Sequence, residues 1–158
     1  MGNVVSVTEL QALRAVMKAE HKRVIFTNGC YDIIHRGHVE YFNSAKSMGD
    51  VLIVGVNSDA SVRRIKGSKR PIVNQDDRSY IVANLTPVDY VCIFDEDTPY
   101  DLIKAVVPDV LVKGADWKID DIVGKDIVEG AGGVVKTIQF VPSHSTSKII
   151  DEILKRYG

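Results

Sequence analysis

Residues Val24 to His38 read VIFTNGCYDIIHRGH. The apolar run Val24-Ile25-Phe26 opens the stretch as a buried strand. Thr27-Asn28-Gly29 breaks the run with turn-forming residues. Beyond the loop, Val39, Phe42, Ala45 and Met48 recur at helical spacing, and Gly49 stops the pattern. His35 and His38 therefore stand three apart at the start of a helix that follows a strand, with both rings on one face. A helix start offers unpaired backbone N–H groups and the positive end of a dipole. Two imidazoles at such a start make a receptor for a polyanion, and a triphosphate suits it. Either histidine alone would pass for a surface or core residue. The strand, the Gly29 turn and the helix around the pair carry the phosphate reading.

Outward from this unit, Val51 to Val56 (VLIVGV) is a second short apolar run between Asp50 and Asn57. It reads as a buried parallel strand and completes a right-handed βαβ unit. Ligands in such sheets bind beyond the carboxyl ends of the strands, where Asn28, Gly29, Asn57 and Asp59 fall. Asn57-Ser58-Asp59 serves equally well as a helix cap or as part of a binding site. Tyr90 to Phe94, Val110 to Val112 and Val134 to Phe140 are three further strands. A helix over residues 6–20 is capped by Ser6 or Thr8, with Glu9 three positions after Ser6 and an apolar stripe of Leu10, Leu13, Val16 and Met17. Another runs from Asn74 to Leu85, with Ile81, Val82 and Leu85 inward. Asp97 or Thr98 caps the next, which carries Leu102, Ile103, Val106 and Val107 and ends at Pro108. Residues 120–130 are weakly helical. Ser143-His144-Ser145-Thr146-Ser147 leads a final helix. Five strands alternating with helices predict an α/β fold: a doubly wound, five-stranded parallel sheet of Rossmann-like form. No repeat or long linker divides the chain, so one domain over residues 1–158 is expected.

Arg63 to Arg70, RRIKGSKR, holds five of the twenty Lys and Arg residues. Gly67, Ser68 and Pro71 suggest a flexible basic loop. It is either a solvated surface or a lid that brings Lys66 and Arg70 to phosphates. Arg78 sits among acids and either pairs locally or reaches a ligand. A net charge of −1 argues against a nucleic-acid or anionic-membrane surface as the main partner. No apolar run approaches the ~20 residues of a membrane span, and MGNVVSVTEL has neither a basic leader nor a long apolar core. Cys30 and Cys92 have no metal-ligand spacing and read as reduced thiols. A cytoplasmic protein without a metal-binding cluster of its own is expected.

His35-Arg36-Gly37-His38 after a strand resembles the His-x-Gly-His signature of the nucleotidyltransferase superfamily. Four stretches together are similar to one family within it: FTNGCYDIIHRGHVEYF, AKSMGDVLIVGVNSDASVRRIKGSKRP, PDVLVKGADW and the late Ser145-Thr146-Ser147. These resemble the adenylyltransferases that make ADP-heptose from heptose 1-phosphate. The likeness covers nearly the whole chain from about residue 8. In many bacteria such a domain is half of a bifunctional protein whose other half is a sugar kinase; 158 residues leave no room for a kinase, so a stand-alone form is expected. Small-molecule cytidylyltransferases, such as the glycerol 3-phosphate enzyme, share much of the pattern. They carry an arginine just before the late Ser-Thr motif, and this chain does not, which points away from CTP. An adenylyltransferase acting on riboflavin phosphate and a nucleotide-binding regulatory module without turnover remain alternatives.

The resemblance implies ATP as donor, Mg²⁺ on its phosphates and a sugar 1-phosphate as acceptor. It also implies a homodimer, a separate sugar kinase and a place in lipopolysaccharide biosynthesis. Its catalytic candidates are His35, His38 and Lys46, the last of which could equally be a solvated lysine. Its nucleotide candidates are Thr27, Asn28, Gly29, Asp32, Gly37, Asn57, Asp59, Lys113, Gly114, Asp116, Trp117, Ser145, Thr146 and Ser147. Lys66, Arg70 and Arg78 are candidates for the acceptor's phosphate. Base selection falls to Lys113–Trp117 and Val141–His144. Trp117 either stacks on the base or ribose or closes the sheet edge.

Overall fold

The computed structural model describes residues 2–139 and 145–158. In chain order it contains β1 (Asn3–Val4), α1 (Val7–Ala19), β2 (Val24–Gly29), α2 (Arg36–Lys46) and β3 (Val51–Asn57). Then come α3 (Asp59–Lys66), α4 (Gln75–Ala83), β4 (Tyr90–Phe94), α5 (Tyr100–Val106) and β5 (Val110–Gly114). A 3₁₀ turn (Ile119–Asp121), α6 (Lys125–Gly130), β6 (Val134–Ile138) and α7 (Thr146–Tyr157) complete it. The strands pair in parallel in the order β1-β4-β3-β2-β5-β6.

The doubly wound parallel sheet is as expected, but it is one strand wider. Two residues of β1 are too few for any period to show in sequence. They are held at the edge by Asn3 N–H to the Asp89 carbonyl (3.0 Å) and Val5 N–H to the Val91 carbonyl (2.9 Å).

Successive strand residues face opposite layers, as the pleat requires. Phe26, Ile53 and Leu111 pack with α1, α5 and α6, whereas Ile25, Leu52, Val54, Val110 and Val112 pack with α2 and α4. Both faces of the central strands are thus covered, which is why they read as unbroken apolar runs rather than alternating ones. Burying each such side chain stabilises by about 1.5–3 kcal/mol. Ser6 and Glu9 form the reciprocal cap of α1, and Asn74 caps α4 by accepting from Asp77 N–H at 2.9 Å.

Some details differ. Val16 and Ile81, assigned to the core faces of their helices, are 55% and 41% exposed. α5 begins after Pro99, and no side chain among the described residues caps it. The segment Arg63–Arg70 is not one loop. Its first half is the last turn of α3, which Ser58 caps by accepting from Ser61 N–H (3.0 Å) and which Gly67 ends at φ 95°. Gly67 is the stop signal of a helix, since only glycine takes that conformation without strain.

From β2 the chain winds outward through β3 and β4, then returns to place β5 on the other side of β2. The carboxyl ends of β2 and β5 therefore flank the topological switch point, where doubly wound sheets open a crevice.

Candidate functional site

A cavity of about 540 Å³ lies at this switch point. Lys113, near the end of β5, donates from Nζ to Asn28 Oδ1 on β2 at 2.6 Å and so bridges the two strands. The same ammonium lies 5.7 Å from the centre of the Trp117 ring. Burial pulls the Lys113 ammonium down to about 8, against the opposing influence of Asp116 and Cys30. At Gly29 the chain must stay bare. Tyr31, at φ 48°, folds its ring back so that a Cβ on Gly29 would stand 2.9 Å from it. That tyrosine meets the His38 ring edge-on at 5.3 Å and packs against Phe42.

Two helix starts converge on the cavity. Among the described residues no side chain caps α2. Its His35 and His38 rings stack at 3.8 Å with 21° between planes. His38 lines the cavity, and its Nδ1 is buried without a hydrogen-bond partner among the described residues. Burial, reinforced by His35, lowers the His38 imidazole to about 4, so it is neutral at pH 7. At the other helix start, Ser145 caps α7 by accepting from Lys148 N–H at 3.2 Å. Thr146 Oγ1 donates to the Ile33 carbonyl at 3.3 Å, tying α7 to the loop that precedes α2. Asn28, Gly29, Asn57, Gly114, Asp116 and Trp117 line the same cavity, as do Lys66, Arg70, Thr146 and Ser147.

Other residues singled out from the sequence lie elsewhere or are committed. Lys46 is a correction. It sits at the last turn of α2 and donates to Asp89 and to the Asp50 carbonyl, at the amino ends of β3 and β4, across the sheet from the cavity. Two helical turns carry it away from His38 rather than towards it. Arg78 is a second correction. It is fully buried and donates to the carbonyls of Val73, Cys30 and Asn57 and to Asp59 Oδ1. Its donors join four segments under the site, and with them Asp59 is engaged in the frame. Thr27 shares a 2.9 Å hydrogen bond with the Tyr41 hydroxyl, and Gly37 is buried in the first turn of α2. The Asp32 carboxylate is also buried. It accepts from Ile72 and Val73 N–H, both at 2.8 Å, and from Arg70 Nε. Burial alone would raise its pKa, but these donors more than offset that and hold it below the usual carboxylate range.

The cavity wall also contains Tyr41, Cys30, Thr98 and Pro99. Tyr41 was legible, since it lies three after His38 on the same helix face. Thr98 and Pro99 come from the β4–α5 connection, which Arg64 pins through Asp97 at 2.6 Å. No local signal marks that contact. Among the described residues no group of three His, Cys, Asp or Glu side chains converges to hold a metal ion, and no helix is long and apolar enough to cross a membrane.

A parallel α/β sheet with a His-x-Gly-His helix start at its switch point, faced by a second helix start, defines a domain of the nucleotidyltransferase type. A family model described as Cytidylyltransferase-like matches residues 26–152, and the chain belongs to that family. It is 52% identical over 149 residues to the bifunctional protein HldE of Geobacter sulfurreducens, covering 94% of this chain and 30% of that protein. It is also 52% identical over 155 residues to the HldE of Geobacter metallireducens, covering 96% and 32%. The chain thus spans about a third of the length of these relatives. Among solved structures, the lipopolysaccharide core biosynthesis protein from Thermoplasma volcanium GSS1 superposes with a TM-score of 0.63 at 28% identity, covering 76% of this chain and 97% of that one. The pantoate-beta-alanine ligase from Francisella tularensis, bound to beta-gamma ATP and beta-alanine, shares the fold at a TM-score of 0.65 and 14% identity, covering 98% and 80%.

Proposed function

We propose that this chain transfers AMP from ATP to D-glycero-D-manno-heptose 1-phosphate, giving ADP-heptose and pyrophosphate. The observation that carries the transfer reaction is the meeting of two helix starts, the neutral His38 and the buried Lys113 around one cavity. The choice of heptose is supported by likeness to the bifunctional HldE proteins and to a lipopolysaccharide core biosynthesis protein.

An oxygen of the sugar phosphate attacks the α-phosphorus of ATP, and the bond from that phosphorus to the bridging oxygen of pyrophosphate breaks. The nucleophile is already mostly dianionic at neutral pH, because its second pKa is about 6. The protein therefore need not remove a proton. Its work is to hold two anions in line and to stabilise charge arriving on the leaving pyrophosphate. His38 and the starts of α2 and α7 supply donors for the triphosphate. Lys113 supplies a charge whose hydration has already been stripped, so its attraction to phosphate is weakly screened. Lys66 and Arg70 serve the acceptor. Mg²⁺ would come with ATP and would supply charge neutralisation at its phosphates. Base selection rests on Lys113–Trp117, and on Val141–His144, which lies outside the described residues. A sugar kinase supplies the acceptor in the cytoplasm. The working assembly is a homodimer, with the exposed Ile72, Tyr80 and Ile81 offering apolar surface for it.

The test is a matrix of four nucleoside triphosphates against heptose 1-phosphate, glycerol 3-phosphate and riboflavin phosphate, read by pyrophosphate release with Mg²⁺ present. ADP-heptose formation selects this reading. Turnover only with CTP and glycerol 3-phosphate, or only with riboflavin phosphate, replaces the substrates. Nucleotide binding without pyrophosphate in any combination makes the chain a binding module.

A further inference from the structure

Among the described residues Arg70 is anchored by one edge, its Nε. Its Nε donates to the buried Asp32 carboxylate, and its side chain is 18% exposed. Its two terminal amino groups make no hydrogen bond among the described residues, and the residue lines the cavity. A guanidinium is planar, so holding it by Nε sets the direction of the opposite fork. Asp32 in turn is locked. Its other oxygen accepts from the N–H groups of both Ile72 and Val73, which fixes the backbone just beyond Arg70. The carboxylate thus ties the loop after β2 to the loop after α3.

We infer that Asp32 is a positioning residue, which holds Arg70 so that its outer fork is a preformed bidentate receptor for a phosphate group in the cavity. This rests on the reading of the cavity as a phosphate-transfer site and assigns one anion subsite within it. Asp32 itself touches no substrate, because its carboxylate is fully covered and its acceptor positions face donors of the protein. A fork held in advance loses little side-chain freedom on binding, which is where its affinity comes from. On that reading the phosphate is that of the sugar 1-phosphate, and separate titrations distinguish it from a phosphate of the nucleotide.

The experiment is calorimetric titration of the wild type, Asp32→Asn, Arg70→Ala, the double variant and Arg70→Lys. The probes are inorganic phosphate, heptose 1-phosphate and ATP, each added alone, with pyrophosphate release measured in parallel. Asp32→Asn and Arg70→Ala should each weaken the same probe by roughly 10- to 100-fold, the range for losing a charge-assisted hydrogen bond. The double variant should be no weaker than Arg70→Ala, because Asp32 acts only through Arg70. Arg70→Lys leaves the buried carboxylate with a cation and the fold intact. It should bind like Arg70→Ala, since an ammonium held by Asp32 has no fork to present. In turnover, the loss should fall on KM for the affected substrate and spare kcat.

Additive losses, or an Asp32→Asn protein with wild-type affinity while Arg70→Ala is impaired, overturn the inference and leave the transfer reading standing. Wild-type affinity in Arg70→Lys overturns it without disturbing Asp32. The converse is also separable. Coupled losses for inorganic phosphate in a protein that releases no pyrophosphate uphold the receptor and reject the transfer reaction.

Discussion

His38 is a neutral imidazole in the cavity wall. Its depressed value of about 4 comes from burial first and from His35 second. A triphosphate beside it reverses the balance and favours the charged ring. ATP binding between pH 6 and 7 should therefore take up a proton, and affinity should rise as pH falls. Calorimetry in buffers of different ionisation enthalpy reads the uptake, and His38→Asn should abolish it. The same shift has a consequence for stability. The unfolded imidazole, with a pKa near 6.5, takes a proton before the folded one does. Stability contributed by neutral His38 is thus complete above about pH 6.5 and declines as pH falls towards about 4, by about 3 kcal/mol at most. His38→Ala should lose ~10²–10³ in kcat, the usual cost of one donor to developing charge. Near-normal kcat would remove His38 from the site.

At the scale of the elements, the basic segment after β3 divides into parts with different roles. Lys66 ends α3 and is exposed, so Lys66→Ala should leave the melting temperature unchanged. Arg70→Ala deprives a buried carboxylate of its cation and should cost about 1–3 kcal/mol, which denaturant titration will show. Equal melting temperatures for the two variants would argue that Asp32 is content with its backbone donors. Lys46 belongs to the opposite end of the sheet. Lys46→Met should lower stability slightly through Asp89 and leave turnover intact. At α7, Ser145 does the capping while Thr146 reaches the loop before α2. Thr146→Ala should therefore reduce turnover well beyond its effect on melting temperature. A small, matched loss in both would confine Thr146 to tying the two elements together.

At the scale of the whole molecule, the strand order matters more than any one motif. It brings the carboxyl ends of β2 and β5 together although 85 residues separate Asn28 from Lys113. Lys113 is mostly charged at pH 7 and loses that charge as pH rises through about 8. ATP affinity should therefore weaken between pH 7 and 9. Lys113→Met should show low affinity already at pH 7 and a flat profile above it. A wild-type profile unchanged across this range would separate Lys113 from the nucleotide.

The sheet was legible because its central strands are covered on both faces, so their apolar runs stand out in one dimension. The His-x-Gly-His start was legible because strand, turn and helix follow one another within fifteen residues, and local spacing sets their geometry. The edge strand was not, since two residues carry no period and its hydrogen bonds come from β4. Nor was the fate of the charged residues. Lys46, Arg70 and Arg78 look alike as basic side chains near acids. Yet one is across the sheet, one is held by its edge in the cavity wall, and one is enclosed with every neighbour in another segment. A charge takes its role from the partners that surround it in space, and for these three the decisive partners are 43, 38 and 19 residues away.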